Sequence, residues 1–590
     1  MLILLITAVT GAWAETTTHV VTQENVNTIF SGDGYTLSDA IQAGDILDFQ
    51  DTIEFSKDDT HSLVINKPVN IVSSTQDAVL QLNTETLPAN QTYGDPSKSF
   101  VINKAGAGTT VNGIQIKNTL IWLYNTSNVT FTDVNIRVEN SYTGQGTGHV
   151  AIRYSDHINF YGCHIFTKDN AGNSAVVLTG SSYCTFVDSN FESSGNTGNL
   201  FYLNSFNTND KPADFPTENN VVTSNDNDII DCTFTYDNPS SYKTLMLSYY
   251  RNHIEGCTFS NVSISTSYGG ISPKSPEDGC IYFNNTTTSQ VTLLAYSIAT
   301  ENTFAGNVTT GQNSTVADND ITGNVTVSMG STVIDNDITG NVTVGKGSTV
   351  IDNTIVGNMT ISSNSSDYIG STCIENNITG TVTFNSNSKN NILIDNTITS
   401  NGDYAVVMAT TSNANNTVQY NDLKAATRTG DDAVNARGSG NIIDHNTIYD
   451  ITLAENTVDA ANWTIEPNRS FENETVTISY SGVNKVNNVK AVKKATETTD
   501  ETTDANTEEA EFTEGVELTD NGNGTWTLAN MPAFDIEMLV EYDGEPTAIT
   551  NIKGEKEESA TYYDLSGRQV NGKPSKAGIY VKGNKKLMIE

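Results

Sequence analysis

Six large side chains between residues 120 and 285 have chemistry suited to holding a sugar. They are Trp122, Arg153, Tyr202, Tyr249, Arg251 and Tyr282. Aromatic rings pack on the apolar C–H faces of sugar rings, and arginine donates paired hydrogen bonds to carboxylate or hydroxyl groups. All six lie in segments typical of strands, where alternation turns about half of the side chains inward. Each one is therefore either a core residue or part of an outer binding surface, and we expect the outward members to line one sheet.

Two short segments also carry groups that could cleave a polysaccharide. They are the set His149, Arg153, Asp156 and His157, and the run from Tyr249 to His253. A lyase needs an arginine or lysine base beside acids that hold calcium, and a glycoside hydrolase needs clustered carboxylates. No arginine between residues 100 and 460 has companion acids at the repeat spacing. We expect no catalysis, unless Arg153 or Arg251 lies within reach of two outward carboxylates on neighbouring windings of the chain.

An internal repeat sets the elements that would position these groups. Near-copies begin at Thr315, Thr332 and Thr349, spaced 17 residues apart, and each has an asparagine at its fifth position. So short a period can hold two or three short strands, but no βαβ crossover and no helix pair. Its Val, Ile and Thr residues alternate with a period of two, and its Gly and Asn residues mark bends. The repeat predicts stacked β coils with continuous valine and asparagine ladders.

One template extends the repeat from about residue 100 to residue 460. In this template an apolar residue is followed three positions later by Asn or Cys, and two positions after that by Ile, Leu or Phe. Its Asn or Cys positions include Cys163, Cys232, Cys257, Asn319, Asn336, Asn353, Asn376, Asn396, Asn421 and Asn446. The spacing within the template is constant, whereas the distance between successive copies varies. This combination predicts coils with the same core and with loops of different length. Because three of the six cysteines occupy this phase, we expect small buried core residues there, with a disulfide framework as the alternative.

Three segments carry a family resemblance. HINFYGCHIF at His157, NDIIDCTF at Asn227 and NIIDHNTI at Asn441 resemble right-handed parallel β-helix proteins of the pectate-lyase-like superfamily. The resemblance covers about residues 60 to 460 and implies an all-β fold, a right-handed parallel β-helix. That superfamily holds lyases, hydrolases, epimerases, phage tailspikes and noncatalytic adhesins, and the pair Asp431–Asp432 lacks the further motifs of its pectin-hydrolysing members. The Asn- and Thr-rich tract from 300 to 400 resembles adhesin-like surface proteins of gut microbes.

The solenoid is preceded by two predicted segments. Residues 1–14 are an apolar run that ends in small residues, as in a secretory signal peptide. Residues 15–60 are predicted to cap the first coil, with a short helix over Leu37–Ala43 covering an edge that would otherwise template aggregation. Residues 61–460 are then the parallel β-helix itself.

Small β modules are predicted after the solenoid. Residues 461–545 contain the alternating strands of a β-sandwich-like module, interrupted by an acidic segment, 495–511, that we expect to be disordered. Residues 546–590 contain YDLSGR and then GIY, in the order found in short C-terminal domains of exported Bacteroidota proteins. That resemblance implies a module for type IX secretion or surface attachment.

The charge balance limits the partners. The formal net charge is −39 at pH 7, and nucleic acid or an anionic membrane would require clustered Lys and Arg. The same charge disfavours acidic polysaccharide unless calcium mediates, and no segment after residue 14 has the roughly 18 apolar residues of a membrane span. We therefore predict a monomer, secreted or at the cell surface, that binds glycan or a host surface in an adhesin-like manner without a cofactor. A secreted polysaccharide lyase or glycoside hydrolase is the alternative.

Overall fold

Three parallel β-sheets run from Thr18 to Asp444 in the structure, which is a computed structural model. The structure describes residues 16–55, 61–82, 99–139, 148–168, 174–194, 199–204, 211–217, 222–237, 243–246, 250–265, 273–362, 369–408, 410–455, 457–494, 515–544, 562–564, 569–570, 578–582 and 585–589. The predicted signal peptide at 1–14, the acidic segment at 495–511 and the candidate residue Tyr249 lie outside the described residues.

From Ile46 onward, each winding of the chain gives one short strand to sheet 1, then one to sheet 2, then one to sheet 3. The described strands of sheet 1 are Thr18–Val21, Ile46–Phe49, Asn70–Val72, Thr110–Asn112, Ser127–Thr132, Asp156–Tyr161, Thr185–Val187, Asp228–Ile230, His253–Glu255, Ile281–Phe283, Ile298–Thr300, Thr315–Ala317, Thr332–Ile334, Thr349–Ile351, Thr372–Ile374, Ile392–Ile394, Thr417–Gln419 and Ile442–Asp444.

Sheets 2 and 3 repeat this order along the solenoid. Sheet 2 contains Ile53–Glu54, Val79–Gln81, Gln115–Lys117, Asn135–Val138, His164–Thr167, Asn190–Ser193, Thr233–Tyr236, Thr258–Ser260, Thr286–Thr287, Thr303–Phe304, Asp320–Ile321, Asp337–Ile338, Thr354–Val356, Asn377–Thr379, Thr397–Thr399 and Asp422–Lys424. Sheet 3 contains Leu63–Ile65, Ser99–Ile102, Leu120–Tyr124, Val150–Arg153, Val176–Thr179, Phe201–Asn204, Lys243–Met246, Val262–Ser265, Val291–Thr292, Val308–Thr309, Val325–Val327, Val342–Val344, Met359–Ile361, Val382–Phe384, Val406–Met408 and Val434–Ala436.

Neighbouring strands pair in parallel, so equivalent residues of successive coils lie above one another. Val316 pairs with Val333, and Val333 pairs with Val350. All three valines are buried, whereas the residues on either side of Val333 and Val350 are only half-buried. In these sheet 1 strands the middle residue thus builds the core, and its two neighbours face outward. This arrangement confirms the predicted parallel β-helix.

A ladder of buried asparagines fills the corner between sheet 1 and sheet 2. Asn336 donates from Nδ2 to Oδ1 of Asn353 at 2.9 Å and to the carbonyl oxygens of Val316 and Ile334 at 3.0 and 2.9 Å. Its own Oδ1 accepts hydrogen bonds from the backbone N–H and Nδ2 of Asn319. The coil-to-coil Nδ2 bonds continue through Asn285, Asn302, Asn376, Asn396 and Asn421. The predicted asparagine ladder is confirmed.

Asp431 ends this ladder on its C-terminal side. Its Oδ1 accepts hydrogen bonds from Nδ2 of Asn446 at 2.6 Å and from the backbone N–H of Asn446 at 3.3 Å. One member of the acidic pair noted in the sequence therefore has a structural partner. On the N-terminal side, the same corner holds Cys257, whose backbone N–H donates to Oδ1 of Asn285 at 2.9 Å.

All six cysteines are buried and free, which confirms the prediction of core residues for the three that occupy the template. Cys163, Cys232 and Cys257 share the corner position that asparagine holds in later coils, and Sγ of Cys257 lies 3.2 Å from the carbonyl oxygen of Glu255. Burial raises the pKa of Cys163 to about 11 and the pKa of Cys373 to about 12. These two thiols are therefore protonated at neutral pH and pack as small apolar groups.

The N-terminal cap contains a strand and a short helix. Strand Thr18–Val21 pairs in parallel with Ile46–Phe49, and the four-residue helix Val26–Ile29 lies between them in the sequence. The other helical elements of the described chain are 3-10 turns, at Lys104–Gly106, Pro276–Asp278, Gly430–Ala433 and Ala460–Asn462. Nowhere in the described chain is a helix long and apolar enough to cross a membrane.

The helix predicted over Leu37–Ala43 is wrong, because the segment forms turns instead. Nζ of Lys67 donates to the carbonyl oxygens of Ser38 and Ile41 at 2.8 Å each. The backbone N–H of Gln42 donates to Oδ2 of Asp45 at 2.8 Å. Side chains thus satisfy the groups that a helix would pair internally, and the segment still buries its two large apolar residues.

A second compact unit spans Tyr449–Glu590. One four-stranded sheet contains Ile448–Leu453, Arg469–Phe471, Val486–Lys493 and Ile536–Tyr542, and another contains Trp463–Glu466, Val476–Tyr480, Thr519–Asp520 and Thr525–Leu528. Residues of both sheets, including Ile451, Trp463 and Trp526, share one core, which confirms the sandwich-like module. A further antiparallel sheet contains Tyr562–Asp564, Gln569–Val570, Gly578–Lys582 and Lys585–Ile589.

We predict that Asn336→Ala lowers the free energy of unfolding by about 3 kcal/mol, because it leaves the buried N–H groups of Asn319 without an acceptor. Urea denaturation of the full chain measures this loss. Asn341→Ala is the matched control: Asn341 accepts from the backbone N–H of Asn358 at 2.9 Å in an exposed ladder. Water can replace that bond, so the control should lose under about 1 kcal/mol. Equal losses in the two variants would contradict the role of the buried ladder.

Candidate functional site

Trp122 and Arg153 lie side by side on the outward face of sheet 3, yet both are buried. Their strands pair so that Trp122 lies opposite Ala151 and Tyr124 opposite Arg153. The Arg153 guanidinium carbon lies 5.2 Å from the centre of the Trp122 ring, within range of a cation–π contact. Trp122 is 3% exposed and Arg153 is 2% exposed. Neither offers an open face to a sugar ring, which corrects the expectation that Trp122 lines an accessible groove.

The predicted set His149, Arg153, Asp156 and His157 does not form one site. His149 is fully buried, and burial lowers its pKa to about 4, so the ring is neutral at pH 7. Asp156 and His157 are exposed at the edge of sheet 1. Arg153 instead lies on sheet 3 with its guanidinium carbon 5.7 Å from the ring centre of Tyr154. The corner between sheet 3 and sheet 1 therefore separates His149 and Arg153 from Asp156 and His157.

Tyr202 and Tyr282 occupy different environments. Tyr202 lies on sheet 3 opposite Val177 and is half-buried. Tyr282 is the middle residue of its sheet 1 strand and is fully buried in the core. An inward middle position cannot line an outer surface, so the expectation for Tyr282 is corrected to core packing.

Among the contacts that the structure describes for the predicted residues, those of Arg251 include two outward carboxylates. Its Nε and Nη2 donate to the two carboxylate oxygens of Asp226 at 2.6 and 2.9 Å. Its Nη1 donates to Oδ1 of Asp278 at 3.2 Å. These acids belong to the coils before and after its own, and the hydrogen bonds that Arg251 donates to Asp226 are the main reason that the pKa of Arg251 is raised.

Arg251 belongs to a continuous outward face, which we call the sheet 1 surface. Its first column, at or just before the start of each strand, is His157, Tyr183, Asp226, Arg251, Gly279 and Tyr296. Its second column is Asn159, Thr185, Asp228, His253, Ile281 and Ile298. Its third column is Tyr161, Val187, Ile230, Glu255, Phe283 and Thr300. Strand spacing puts equivalent residues about 4.8 Å apart along the solenoid.

The corners hold the first column rigidly. Tyr183, Asp226 and Arg251 have φ of 56°, 56° and 55°, a left-handed conformation that projects their side chains outward. The next residue in each coil turns inward, and Nδ2 of Asn227 donates to Oδ1 of Asn252 at 2.9 Å. This second ladder fixes the backbone directly beneath Asp226 and Arg251.

Aromatic rings are accessible at the N-terminal end of the sheet 1 surface. The His157 and Tyr183 rings stack with centres 5.3 Å apart and an angle of 21° between their planes. Tyr183 is 54% exposed and Tyr161 is 39% exposed. The sheet 1 surface therefore offers the open rings that Trp122 on sheet 3 does not provide.

A charged row adjoins these rings. His253 lies between two carboxylates, with Nε2 3.2 Å from Oε2 of Glu255 and Nδ1 3.7 Å from Oδ1 of Asp228. Asp228 raises the pKa of His253 most, Glu255 adds to the increase, and partial burial opposes them. Within the described ranges, no group of three or more His, Cys, Asp and Glu side chains is arranged to hold a metal ion.

Tyr161, Tyr183, Asp226, Asp228 and Glu255 are not among the residues that the sequence predicts for the site. Each lies at a fixed offset from an inward residue such as Phe160, Ile229 or Ile254: one residue before it, one residue after it or three residues before it. The template predicts the inward positions, and the shared chemistry of the outward positions beside them is the signal that points to these five residues.

Comparisons with known proteins identify no family. No protein-family model and no curated protein matches the chain. The chain is similar to PfbA, a surface adhesin of Streptococcus pneumoniae, with 11% identity over 67% of this chain and 87% of that one, at a TM-score of 0.27. It is also similar to ORF18 of Geobacillus virus E2, with 12% identity over 94% of this chain and 82% of that one, at a TM-score of 0.18. Similarity this low carries no functional argument, so function rests on the site.

We predict that His253 stabilises the fold more at low pH than at high pH. Its pKa in the folded state is raised above the ordinary 6.5, so its contribution is complete below about pH 6.5 and is lost as the pH rises through the folded-state pKa. Urea denaturation of the wild type and of His253→Gln, at about pH 5 and about pH 9, measures the difference. The variant should lose stability mainly at the lower pH, and a greater loss at the higher pH would contradict the assignment.

Proposed function

We propose that this protein is an exported, adhesin-like β-helix protein that binds an extended glycan along the sheet 1 surface without cleaving it. The observation that carries the proposal is the run of exposed rings and hydrogen-bonding groups on successive coils, from Tyr161 and Tyr183 to Arg251 and His253. A linear polymer lying along the solenoid would meet a new set of these groups about every 4.8 Å. Tyrosine rings supply the apolar contact area, and the charged side chains bind sugar hydroxyls.

The ends of the chain support an extracellular location. Residues 1–14 resemble a secretory signal, and residues 546–590 resemble the sorting modules of exported Bacteroidota proteins. On this proposal the protein is a monomer, secreted or held at the outer surface of the cell, and its solenoid is related to the pectate-lyase-like superfamily.

The regular tract from Thr315 to Ile361 serves as a spacer in this proposal. Its outward positions on sheet 1 are Thr and Ile, or Ala317. No aromatic ring or arginine interrupts it. Such a tract would lengthen the solenoid without adding a binding group.

We predict that Tyr183→Ala weakens binding about tenfold, which corresponds to about 1.4 kcal/mol for the loss of a stacking ring. A glycan array identifies the ligand, and isothermal titration calorimetry on the best hit measures its affinity. Tyr420→Ala is the matched control, because Tyr420 also has a positive φ, of 54°, and stacks on a histidine, His445, at 5.2 Å. It lies outside the sheet 1 surface and should leave affinity unchanged. A screen without any hit, or equal losses in both variants, would refute binding at this surface.

Cleavage of a polysaccharide at the same surface is a second candidate function. It is favoured by one observation, that Arg251 lies within reach of Asp226 and Asp278 on two neighbouring coils. Arg251 is unsuited to act as the base, since its ion pairs raise its pKa. The acid–base groups would instead be Glu255 and His253.

The cleavage candidate makes its own prediction. The glycans bound on the array should yield new reducing ends or unsaturated products, and Glu255→Gln should slow their release by about a hundredfold or more. Reducing-end and ultraviolet absorbance assays measure both products. Binding with no product from the wild-type protein would exclude this candidate and leave the binding proposal intact.

A further inference from the structure

We infer that the glycan held by the sheet 1 surface is uncharged or cationic, with amino sugars preferred over uronic acids or sulfated sugars. This inference rests on the proposed function and specifies its ligand. The rings define where the glycan lies, and the charges around them decide which glycan is accepted.

Around Arg251 and His253, four carboxylates face these two cations. Asp226, Asp228, Glu255 and Asp278 lie on three successive coils, and Asp228 has 48% of its side chain exposed. Fixed charges on one face repel a ligand charge of the same sign within about 10 Å, the screening length at moderate ionic strength.

Both cations at the centre of the surface are already engaged by these acids. Arg251 is bound by both oxygens of Asp226 and by one oxygen of Asp278. His253 lies between Asp228 and Glu255. A uronate or sulfate would have to displace a protein carboxylate to reach either cation, so its binding would break charge-assisted hydrogen bonds already made.

The neighbouring corner adds to the negative field. Asp188, Asp231 and Glu301 occupy the left-handed position directly after sheet 1, with φ of 50°, 51° and 57°, and all three are exposed. Lys274, four residues before Asp278, is an exposed cation. One lysine does not offset the excess of carboxylates. An ammonium group on a sugar would instead find carboxylate oxygens along both edges of the surface.

Three hexasaccharides of equal length test the inference with the full-length protein. They are oligomers of N-acetylglucosamine, which is uncharged, of glucosamine, which is cationic, and of galacturonate, which is anionic. Calorimetric titration at low salt should give a Kd for the glucosamine oligomer at least about tenfold below that for the galacturonate oligomer. The difference should shrink at about 0.5 M salt, where charges are screened.

Variants locate the source of the preference. Asp228→Asn should weaken binding of the glucosamine oligomer several-fold and leave the N-acetylglucosamine oligomer nearly unaffected. Asp337→Asn is the control, since Asp337 is an exposed carboxylate on sheet 2 of the 17-residue tract and should change neither affinity. Arg251→Gln should strengthen binding of the glucosamine oligomer, because it releases Asp226 and Asp278.

Each failure has a distinct signature. Galacturonate that binds as tightly as glucosamine would overturn this inference and leave glycan binding in place. A preference for glucosamine that survives equally in Asp228→Asn would overturn the assignment to the sheet 1 surface. A broader array in which no glycan binds at all would overturn the proposed function, and this inference with it.

Discussion

Each coil of the solenoid must satisfy the polar groups at its corners with groups from the coil above or below. The chain turns sharply there, and a buried N–H or carbonyl without a partner costs about 1–3 kcal/mol. Asn336 meets this requirement by joining Asn319, Asn353 and two carbonyl oxygens at once. These hydrogen bonds form only if the corner residues of successive coils lie directly above one another. The ladder therefore fixes the register, and the register places all other side chains in columns.

The same register that builds the core also builds the sheet 1 surface. Outward residues on either side of a buried middle residue are brought next to their equivalents one coil away, whatever the length of the loops between them. Asp226 and Arg251 are 25 residues apart and form a bidentate ion pair. His253 similarly lies between a carboxylate of its own strand, Glu255, and one of the preceding coil, Asp228. Charges on such a surface are compensated across coils, and on our proposal the remaining carboxylates select the ligand.

Regularity and chemical variety occupy different coils. Between Thr315 and Ile361 every coil has the same corners, valines and outward Thr residues, so nothing on its surface singles out a binding position. Coils before residue 300 use Cys, Ser and Asn at the corresponding corners and carry Tyr, His, Arg and carboxylates outward. A uniform ladder suits a spacer, whereas the irregular coils provide chemical variety at fixed spacing.

The sequence by itself determined the parallel β-helix, the asparagine ladder, the buried cysteines and the sandwich-like module. These features depend on local alternation and on a short period, which one chain displays directly. Only the tertiary structure decided which aromatic residues are accessible. Trp122 and Tyr202 share the outward face of sheet 3, yet Trp122 is buried, because burial of an outward residue depends on what packs over the sheet. Arg251 meets its two acids only when three coils stack, a contact that spacing along the chain does not reveal.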